Sequence, residues 1–426
     1  MLQFSAASLF TAFGLGIGVE PVVSVNDFFG PEYQDRLLGS ESLDLSLLQV
    51  FWNFSSSRGN VQYSATDHHE LTSRIPSRFE HAAQSGAASS KGSGVSPVTF
   101  SSTFAIVALP DTQYYSKYHE FAEHFTNQTE WIKDQVMNKG NPRNIVFVSH
   151  LGDVVHNVAD QQWIRANASM SVLGSPGGSF VLPFSILPGN HDYPHLEKAN
   201  DCQDFVSHFG PQRFLGAGWY GGADPSGKNS FQLFSGGGFN FIHIALEWRP
   251  HDNTPKRNVS PLEWASDVLH MYPGMPAIIS THEYLYDDNE NVSDSGFFTT
   301  GGRTPSGQIL FDTFVTKHDQ VFMVLCGHFH RVSPMEYGGK WHQISMNDFD
   351  HPVIEVLQDF QDYPSGGHGW LRIITFNPAA GQLHFEIYSP SLDRYKQDSV
   401  NDSGRLASVF TLPFNFTSRL SKVQIH

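Results

Sequence analysis

The sequence predicts an α/β fold, because short buried strands alternate with helical segments along the chain. Five apolar runs rich in β-branched residues, each ended by turn residues, are typical of buried strands: 103–110, 144–151, 179–188, 275–281 and 320–326. After residue 325 the chain shows strand patterns alone, in WHQISM, LRIITF, LHFEIYS and ASVFTL. We therefore expect a second sheet, antiparallel or mixed, to pack on the first.

Three segments between these runs have helical patterns. Residues 118–138 carry apolar side chains on one stripe, 261–270 begins with a Ser260 cap and a proline at the first position, and 307–318 follows a turn signal. The stripe of the first segment consists of Phe121, Phe125, Trp131, Ile132 and Val136. In such an arrangement a functional site is expected at the carboxyl ends of the strands.

The 426 residues divide into three predicted regions. Residues 1–100 form an N-terminal region that ends in a Gly/Ser-rich stretch at 82–97, which is typical of a flexible linker. Residues 101–415 form the folded domain, and 416–426 a C-terminal tail. The first twenty residues contain an apolar stretch of signal-peptide length without a basic n-region, which leaves a signal segment and an atypical start both open.

Seven N-x-S/T acceptor sequences favour a secreted or extracellular protein with glycans on surface loops, although the cytoplasm remains an alternative. They lie at Asn53, Asn127, Asn167, Asn258, Asn291, Asn401 and Asn415. No run of eighteen apolar residues follows the first twenty, so no transmembrane segment is expected. The oligomeric state cannot be inferred from these patterns.

Charge and cysteine content exclude several classes of protein. With 26 basic and 42 acidic residues the net charge is −16, so we expect no nucleic acid polymer as a partner. A small anionic substrate would need a local attraction, which a bound cation supplies. Two cysteines, Cys202 and Cys326, are too few for a disulfide framework or a thiolate zinc site, and Cys326 is expected to be buried as a small hydrophobe.

Residue types that bind metals follow every one of the five apolar runs. A single aspartate there is more often a helix cap, but glycines before three of these motifs allow sharp turns that bring short side chains together. The motifs are PDTQ (Asp111), GDVVHN (Asp153, His156, Asn157), GNHD (Asn190, His191, Asp192), STHE (His282) and GHFH (His328, His330). Five such motifs in one open sheet predict a single centre. Its oxygen and imidazole ligands suit Mn, Fe or Zn, with Asp153 bridging two ions.

The motif order D-x-(H or Q), GD, GNHD, H, GHxH resembles that of the calcineurin-like metallophosphoesterases over about residues 101–415. Within that family the chain looks most like a secreted-type subgroup that begins with PDTQYY and carries the late segment QDYPSGGHGWLR at 361–372. The resemblance implies two packed mixed β-sheets flanked by helices in a four-layer sandwich. It also implies hydrolysis of a small phosphate ester, diester or monoester, by a hydroxide held between two metal ions.

The resemblance further implies individual roles. His191 would contact the phosphate and protonate the leaving oxygen, and Asp192 would orient His191. One metal would bind Asp111, Gln113, Asp153 and His330, and the other Asp153, Asn190, His282 and His328.

Position 113 departs from the family pattern, in which histidine is commoner. A glutamine amide oxygen is a neutral and weaker donor, which suits Mn or Mg better than Zn. We predict that Gln113 is a metal ligand. The alternative is that it hydrogen-bonds a ligand or water.

Further polar residues flank the predicted centre. His156 is expected outside the ligand set, although it could touch metal or phosphate, and Asn157 and Tyr114 are candidates for the substrate pocket. The segment 357–372 is expected to be a glycine loop near the mouth of the site. It offers Asp359, Asp362, His368 and Arg372 for substrate contact.

Two other classes of function remain as alternatives. A catalytically inactive member would keep the fold as a binding module, but such a copy should have lost more than the histidine at position 113. A serine hydrolase is disfavoured, because no GxSxG motif follows a predicted strand.

Overall fold

The computed structural model describes residues 102–194, 202–251, 259–287, 301–330, 339–397 and 407–420, all within one unit. The N-terminal region predicted for 1–100 lies outside these residues, with its linker and signal-like segment. The acceptor sequences at Asn53, Asn258, Asn291 and Asn401 also lie outside them.

Strands provide the framework. In chain order they are β1 (Phe104–Leu109), β2 (Ile145–His150), β3 (Phe184–Ile186), β4 (Tyr220–Ala223), β5 (Ser230–Gly236), β6 (Phe239–Ala245), β7 (Ala277–Ser280), β8 (Leu285–Tyr286), β9 (Gly302–Arg303), β10 (Val321–Cys326), β11 (Lys340–Met346), β12 (Pro352–Gln358), β13 (Leu371–Asn377), β14 (Gln382–Ser389), β15 (Arg394–Tyr395) and β16 (Phe410–Pro413).

Helices connect many of these strands. They are α1 (Gln113–Lys117), α2 (Ala122–Met137), α3 (Asp160–Ser171), α4 (Gln203–Phe209), α5 (Pro261–Met271), α6 (Pro305–Thr313) and α7 (Phe416–Leu420). The predicted start of α5 is confirmed, because Ser260 Oγ accepts the Glu263 backbone N–H at 3.0 Å. The predicted helix at 307–318 corresponds to α6, which begins earlier, at Pro305 after a Thr304 cap, and ends earlier, at Thr313. The last predicted turn is a separate 3₁₀ turn, Val315–Lys317.

Within the described residues, two mixed sheets of seven strands each lie at the centre of the fold. In the first, the order is β15-β14-β13-β1-β2-β3 with β16 on β14, and β1, β2 and β3 are parallel. In the second, the order is β11-β12-β10-β7-β6-β5-β4, and β6, β7, β10 and β12 are parallel. Strands β8 and β9 form a small separate pair.

The two sheets pack face to face with helices outside them. The shared core joins Phe104 and Phe147 of the first sheet to Phe241 and Phe322 of the second. The outer face of the first sheet packs on α2 and α3, and that of the second on α5 and α6. This four-layer arrangement confirms the predicted fold class. Phe125 and Ile132 of α2 are buried as the apolar stripe predicted.

A short polar chain crosses the interface between the sheets. Ser149 Oγ of β2 lies 2.9 Å from Ser280 Oγ of β7, which lies 2.8 Å from His243 Nε2 of β6. The other ring nitrogen of His243 lies 2.8 Å from Gln232 Oε1 of β5. Burial lowers the pKa of His243 to about 3, so the ring is neutral at pH 7 and one nitrogen donates while the other accepts.

Three expectations about the fold are wrong in detail. The five apolar runs do not share one sheet, since the first three form β1 to β3 and the last two form β7 and β10 of the second sheet. The late strands do not form a sheet of their own, because β11 and β12 join the second sheet and β13 to β16 the first. The folded domain extends past the predicted boundary at residue 415, since Phe416 and Leu420 are buried in the shared core.

Candidate metal centre

The predicted metal-binding motifs meet where the carboxyl ends of the parallel strands of both sheets converge. Asp111 follows β1, Asp153 follows β2 and Asn190 follows β3 in the first sheet, whereas His282 follows β7 and His328 follows β10 in the second. Parallel strands place their carboxyl ends at one edge of a sheet, and packing two such edges side by side forms the site.

Glycines allow the side chains of the site to pass close to neighbouring backbone. A Cβ on Gly189 would lie 2.1 Å from Asp153 Oδ1, and one on Gly327 would lie 2.2 Å from Asp111 Oδ1. Gly152 itself has a φ of +100°, which favours glycine. The glycines before Asp153, Asn190 and His328 were expected to allow sharp turns, but at 189 and 327 the requirement is space.

Asp153 lies at the centre of the cluster, with one carboxylate oxygen toward His282 and the other toward Gln113. Its Oδ1 lies 3.2 Å from His282 Nε2, and its Oδ2 accepts a hydrogen bond from Gln113 Nε2 at 2.8 Å. Burial favours the neutral acid, but His282 and then His191 outweigh it and hold the pKa of Asp153 at about 2. An ionised carboxylate with an oxygen on each side suits a bridging ligand.

One half of the centre is built from three imidazole and amide donors around Asp153. Potential ligand atoms of Asp153, His282 and His328 all lie within 4.8 Å of one another. Asn190 Oδ1 lies 2.9 Å from His282 Nε2, and the other ring nitrogen of His282 lies 2.9 Å from the carbonyl oxygen of Leu151. That carbonyl orients the ring so that Nε2 faces the cluster.

The other half contains Asp111 and His330 together with two acids from the segment after β12. His330 Nδ1 hydrogen-bonds Asp362, which raises the pKa of His330 to about 9 against the effect of burial. Asp111 is buried and accepts the His328 backbone N–H. Burial, the carboxyl of Asp359 and that of Asp153 raise the pKa of Asp111 well above its usual range.

Asp359 is a site residue whose position the sequence does not predict, because the segment 357–372 has the pattern of a glycine loop near the mouth of the site. The apolar run PVIEVLQ is a strand, β12, that is parallel to β10 and ends directly before Asp359. This is the same pattern of a buried strand followed by an acid that identified Asp111. His368 and Arg372 lie elsewhere, since Arg372 donates to the Ser408 carbonyl and the His368 ring faces His124.

Gln113 bridges Asp153 and His156. Its Nε2 donates to Asp153, and its Oε1 lies 2.6 Å from His156 Nδ1. In this arrangement the amide oxygen, the only side-chain atom able to bind a metal, faces His156. Rotation of the amide by half a turn would place the oxygen beside Asp153 instead. His156 therefore contacts Gln113, the predicted ligand.

His191 lies beside the cluster in a fixed orientation. Its backbone N–H donates to Asp153 Oδ1 at 2.9 Å, and its Nδ1 donates to the carbonyl oxygen of His156 at 2.8 Å. The ring also stacks on that of His156, with centroids 4.7 Å apart. Because Nδ1 is held by a carbonyl, Nε2 is the nitrogen available to a substrate.

The expected contact between Asp192 and the His191 ring is absent from the structure. The Asp192 carboxylate instead accepts the backbone N–H groups of Gly189, Val154 and Val155 at 2.8–3.1 Å. Burial and Asp153 raise the pKa of Asp192 to about 8, although these donors oppose the shift. Asp192 therefore ties the loop after β2 to the turn that carries Asn190 and His191.

The remaining candidates lie at the rim or in the core. The Tyr114 ring is half-buried with its centroid 5.5 Å from that of His156, which places it beside the cluster. Asn157 is exposed, and its bonded group is the backbone N–H, which donates to Gln162. Cys326 and Cys202 are buried, as expected for Cys326.

The donor set fits the binding of divalent metal ions. Carboxylate, amide and imidazole ligands without thiolate suit hard or borderline divalent ions. The Asp359 Oδ2 atom is buried and has no hydrogen-bond partner among the described residues, which is costly unless a cation or proton lies beside it. The residues present are therefore compatible with metal binding at this edge of both sheets.

Comparison with known proteins agrees with the geometry. Residues 104–332, more than half of the chain, match the family described as Calcineurin-like phosphoesterase. The chain therefore belongs to the calcineurin-like phosphoesterase family. Its members in general are phosphoester hydrolases that bind divalent metals. The identification made from the motif order is thereby confirmed at the level of the family.

The chain is also similar to individual proteins. The uncharacterized protein YvnB of Bacillus subtilis (strain 168) is 32% identical over 325 residues, which are 75% of this chain and 22% of YvnB. The chain thus spans less than a quarter of the length of this curated relative. Among solved structures, GAP50, the anchor in the inner membrane complex of Plasmodium, aligns with a TM-score of 0.40 and 12% identity over 76% of this chain and 92% of GAP50.

Proposed function

We propose that this protein is a metal-dependent phosphoesterase that hydrolyses a small phosphate ester, either a diester or a monoester. The observation that carries the proposal is the cluster of Asp153, His282 and His328, whose ligand atoms lie within 4.8 Å of one another at the strand ends. The family match supports the reaction class but leaves the substrate to the pocket walls.

The proposed ligands fall into two sets that share Asp153. Asp111, Gln113 and His330 would hold one ion, and Asn190, His282 and His328 the other. Two such ions, when bound, neutralise the charge of the phosphoryl group and lower the pKa of bound water. The ligand chemistry favours Mn, Fe or Zn, and Mg is a further candidate.

His191 is the proposed proton donor. Its Nδ1 is held by the His156 carbonyl and its backbone N–H by Asp153, so the free Nε2 has a defined direction. When P–O cleavage leaves negative charge on the departing oxygen, a proton on Nε2 would neutralise it. Asp192 supports this role by holding the loop, and the half-buried Tyr114 ring would line the pocket beside His156.

The test is to strip the purified protein of metal and to add back Mn, Zn, Fe or Mg singly. Hydrolysis of bis(p-nitrophenyl) phosphate and p-nitrophenyl phosphate is then measured, with Asn190→Ala as the control variant. We expect one ion to restore activity in the wild type and the variant to lack it. The ratio of diester to monoester hydrolysis would identify the substrate class.

An inactive binding module is the second candidate. Its supporting observation is the amide oxygen of Gln113, which faces His156 instead of the cluster. If two metals bind but neither substrate is hydrolysed with any ion, the protein is either an enzyme of narrow specificity or this binding module. Absence of both hydrolysis and metal binding would contradict the proposal that the protein is a metal-dependent phosphoesterase.

A further inference from the structure

Asp359 extends the metal-facing edge of the second sheet by one strand. Strand β12 pairs in parallel with β10, and Leu357 lies opposite Cys326. Asp359 is two residues beyond Leu357, just as His328 is two residues beyond Cys326. The backbone N–H of Asp359 donates to the Gly339 carbonyl at 2.8 Å, so the chain is held in place after the strand ends.

The Asp359 carboxyl is wholly buried and contacts another acid. Its exposure is 0%, its Oδ1 accepts the Gln361 backbone N–H at 3.0 Å, and its Oδ2 has no hydrogen-bond partner. The side chain lies against the carboxyl of Asp111, which is also buried. Two carboxyls in contact away from water repel each other when both are ionised, unless a proton or a cation lies between them.

The surroundings favour the cation. Asp111 and His330 are proposed ligands of the same ion, and the charges of Asp359 and His330 act directly on each other. The neutral amide of Gln113 is a weak donor and its oxygen faces His156, so this half of the centre lacks one strong ligand. An anionic oxygen beside Asp111 would provide it.

We propose that Asp359 is a further ligand of the ion at Asp111 and compensates for Gln113. The inference rests on the proposed metal centre, because it assigns an additional residue to one of its two ions. The unpartnered Oδ2 is the ligand atom. A proton shared by Asp111 and Asp359 is the competing explanation, which the experiment below distinguishes.

The experiment measures metal binding directly. Metal-free wild type, Asp359→Asn and Glu355→Gln are titrated with Mn²⁺, and the bound metal is counted by elemental analysis. Glu355 is a matched control, since it is a buried carboxylate on the same strand that pairs with Arg303. We expect two ions in the wild type and the control. In Asp359→Asn one ion should bind at least about tenfold more weakly, as for other lost metal-site interactions.

Thermal unfolding without metal supplies a second readout. Asn removes the charge that faces Asp111, so metal-free Asp359→Asn should unfold at the same temperature as the wild type or higher, whereas Mn²⁺ should stabilise it less. Should this variant fail to fold, Asp359→Ser is measured in the same way. Equal affinity for both ions in a folded variant and in the wild type would overturn the inference and leave the esterase proposal intact. Absence of metal from the wild type would overturn both.

Discussion

Gly189 is the position at which the smallest change should have the largest effect on the site. Its backbone passes so close to Asp153 that a methyl group would overlap both Oδ1, at 2.1 Å, and the backbone nitrogen, at 2.4 Å. The neighbouring Asn190 is itself a proposed ligand, and it would share one ion with Asp153. Any displacement at this point therefore changes the distance between two proposed ligands.

Gly189→Ala should lower the affinity for at least one metal ion by about 10- to 100-fold, because it displaces Asp153 or Asn190. Gly218→Ala is the matched control, since no heavy atom lies within 4 Å of a Cβ at that position. Isothermal titration with Mn²⁺ measures both variants. Unchanged affinity in Gly189→Ala would mean that the loop tolerates the shift and that the close approach is not required.

The sequence predicts which residues form the site better than it predicts how their side chains are oriented. The identities of Asp111, Asp153 and His282 followed from their place after apolar runs. The direction of the Gln113 amide did not, because it depends on His156 and Asp153, which are distant in sequence. The role of Asp192 was also missed, since an acid beside a histidine suggests a side-chain contact whereas its partners are backbone N–H groups of two loops.

Asp192 joins the loop after β2 to the turn after β3 by hydrogen bonds. The carboxylate receives two N–H groups from the first loop and one from the second, within the buried part of the site. A buried donor that loses its acceptor costs free energy comparable to a lost hydrogen bond, and here three would be affected together.

Asp192→Ala should lower the free energy of unfolding by at least about 2 kcal/mol, because three buried N–H groups lose their acceptor. Denaturant titration of the metal-free protein measures this loss. The exposed Asp204→Ala on α4 serves as the control. If both variants unfold at the same denaturant concentration, water replaces the carboxylate and Asp192 does not tie the loops.

Strands and helices were predicted well where the pattern is local. The cap at Ser260 and the runs that became β1, β2, β7 and β10 depend on neighbouring residues, so the sequence contains them. The assignment of strands to sheets depends on pairing between distant segments, as for β13, which returns from residue 371 to lie beside β1. Strand β12 was overlooked because Glu355 interrupts its apolar run, and this buried charge is satisfied by Arg303.

Two acceptor sequences expected on surface loops lie within helices instead. Asn127 is in α2 and donates to Ser391, and Asn167 is in α3 and accepts from Arg213. Asn415 is exposed. Among the acceptor sequences in the described residues, Asn415 is therefore the one best placed for a glycan. Export of the protein remains a proposal. No helix in the described ranges is long and apolar enough to span a bilayer.

The neutral His243 at the interface of the sheets predicts a pH dependence of stability. Its pKa is about 3 in the folded protein, against about 6.5 in an unfolded chain. Because the folded value is depressed, the unfolded state takes up a proton first as the pH falls. This contribution to stability is present above pH 6.5 and is lost progressively toward pH 3.

His243→Gln should reduce the slope of unfolding free energy against pH by about 1.4 kcal/mol per pH unit between about pH 4 and 6, the effect of one proton. Denaturant titrations across this range measure the slope. The exposed His119→Gln is the control. A slope that is the same in His243→Gln and the wild type would show that His243 does not account for acid sensitivity. The test compares only the slopes, because the substitution also changes the free energy of unfolding at every pH.

The contribution of both sheets to one cluster has a consequence for how the protein acquires its metals during synthesis. The proposed ligands extend from Asp111 to His330, and Asp359 would extend them further. A growing polypeptide on the ribosome has no complete ligand set until β10, an inner strand of the second sheet, has emerged and paired. We therefore expect loading to be a late event, which follows release of most of the domain. A chain truncated before His328 should leave the ribosome without its metal pair.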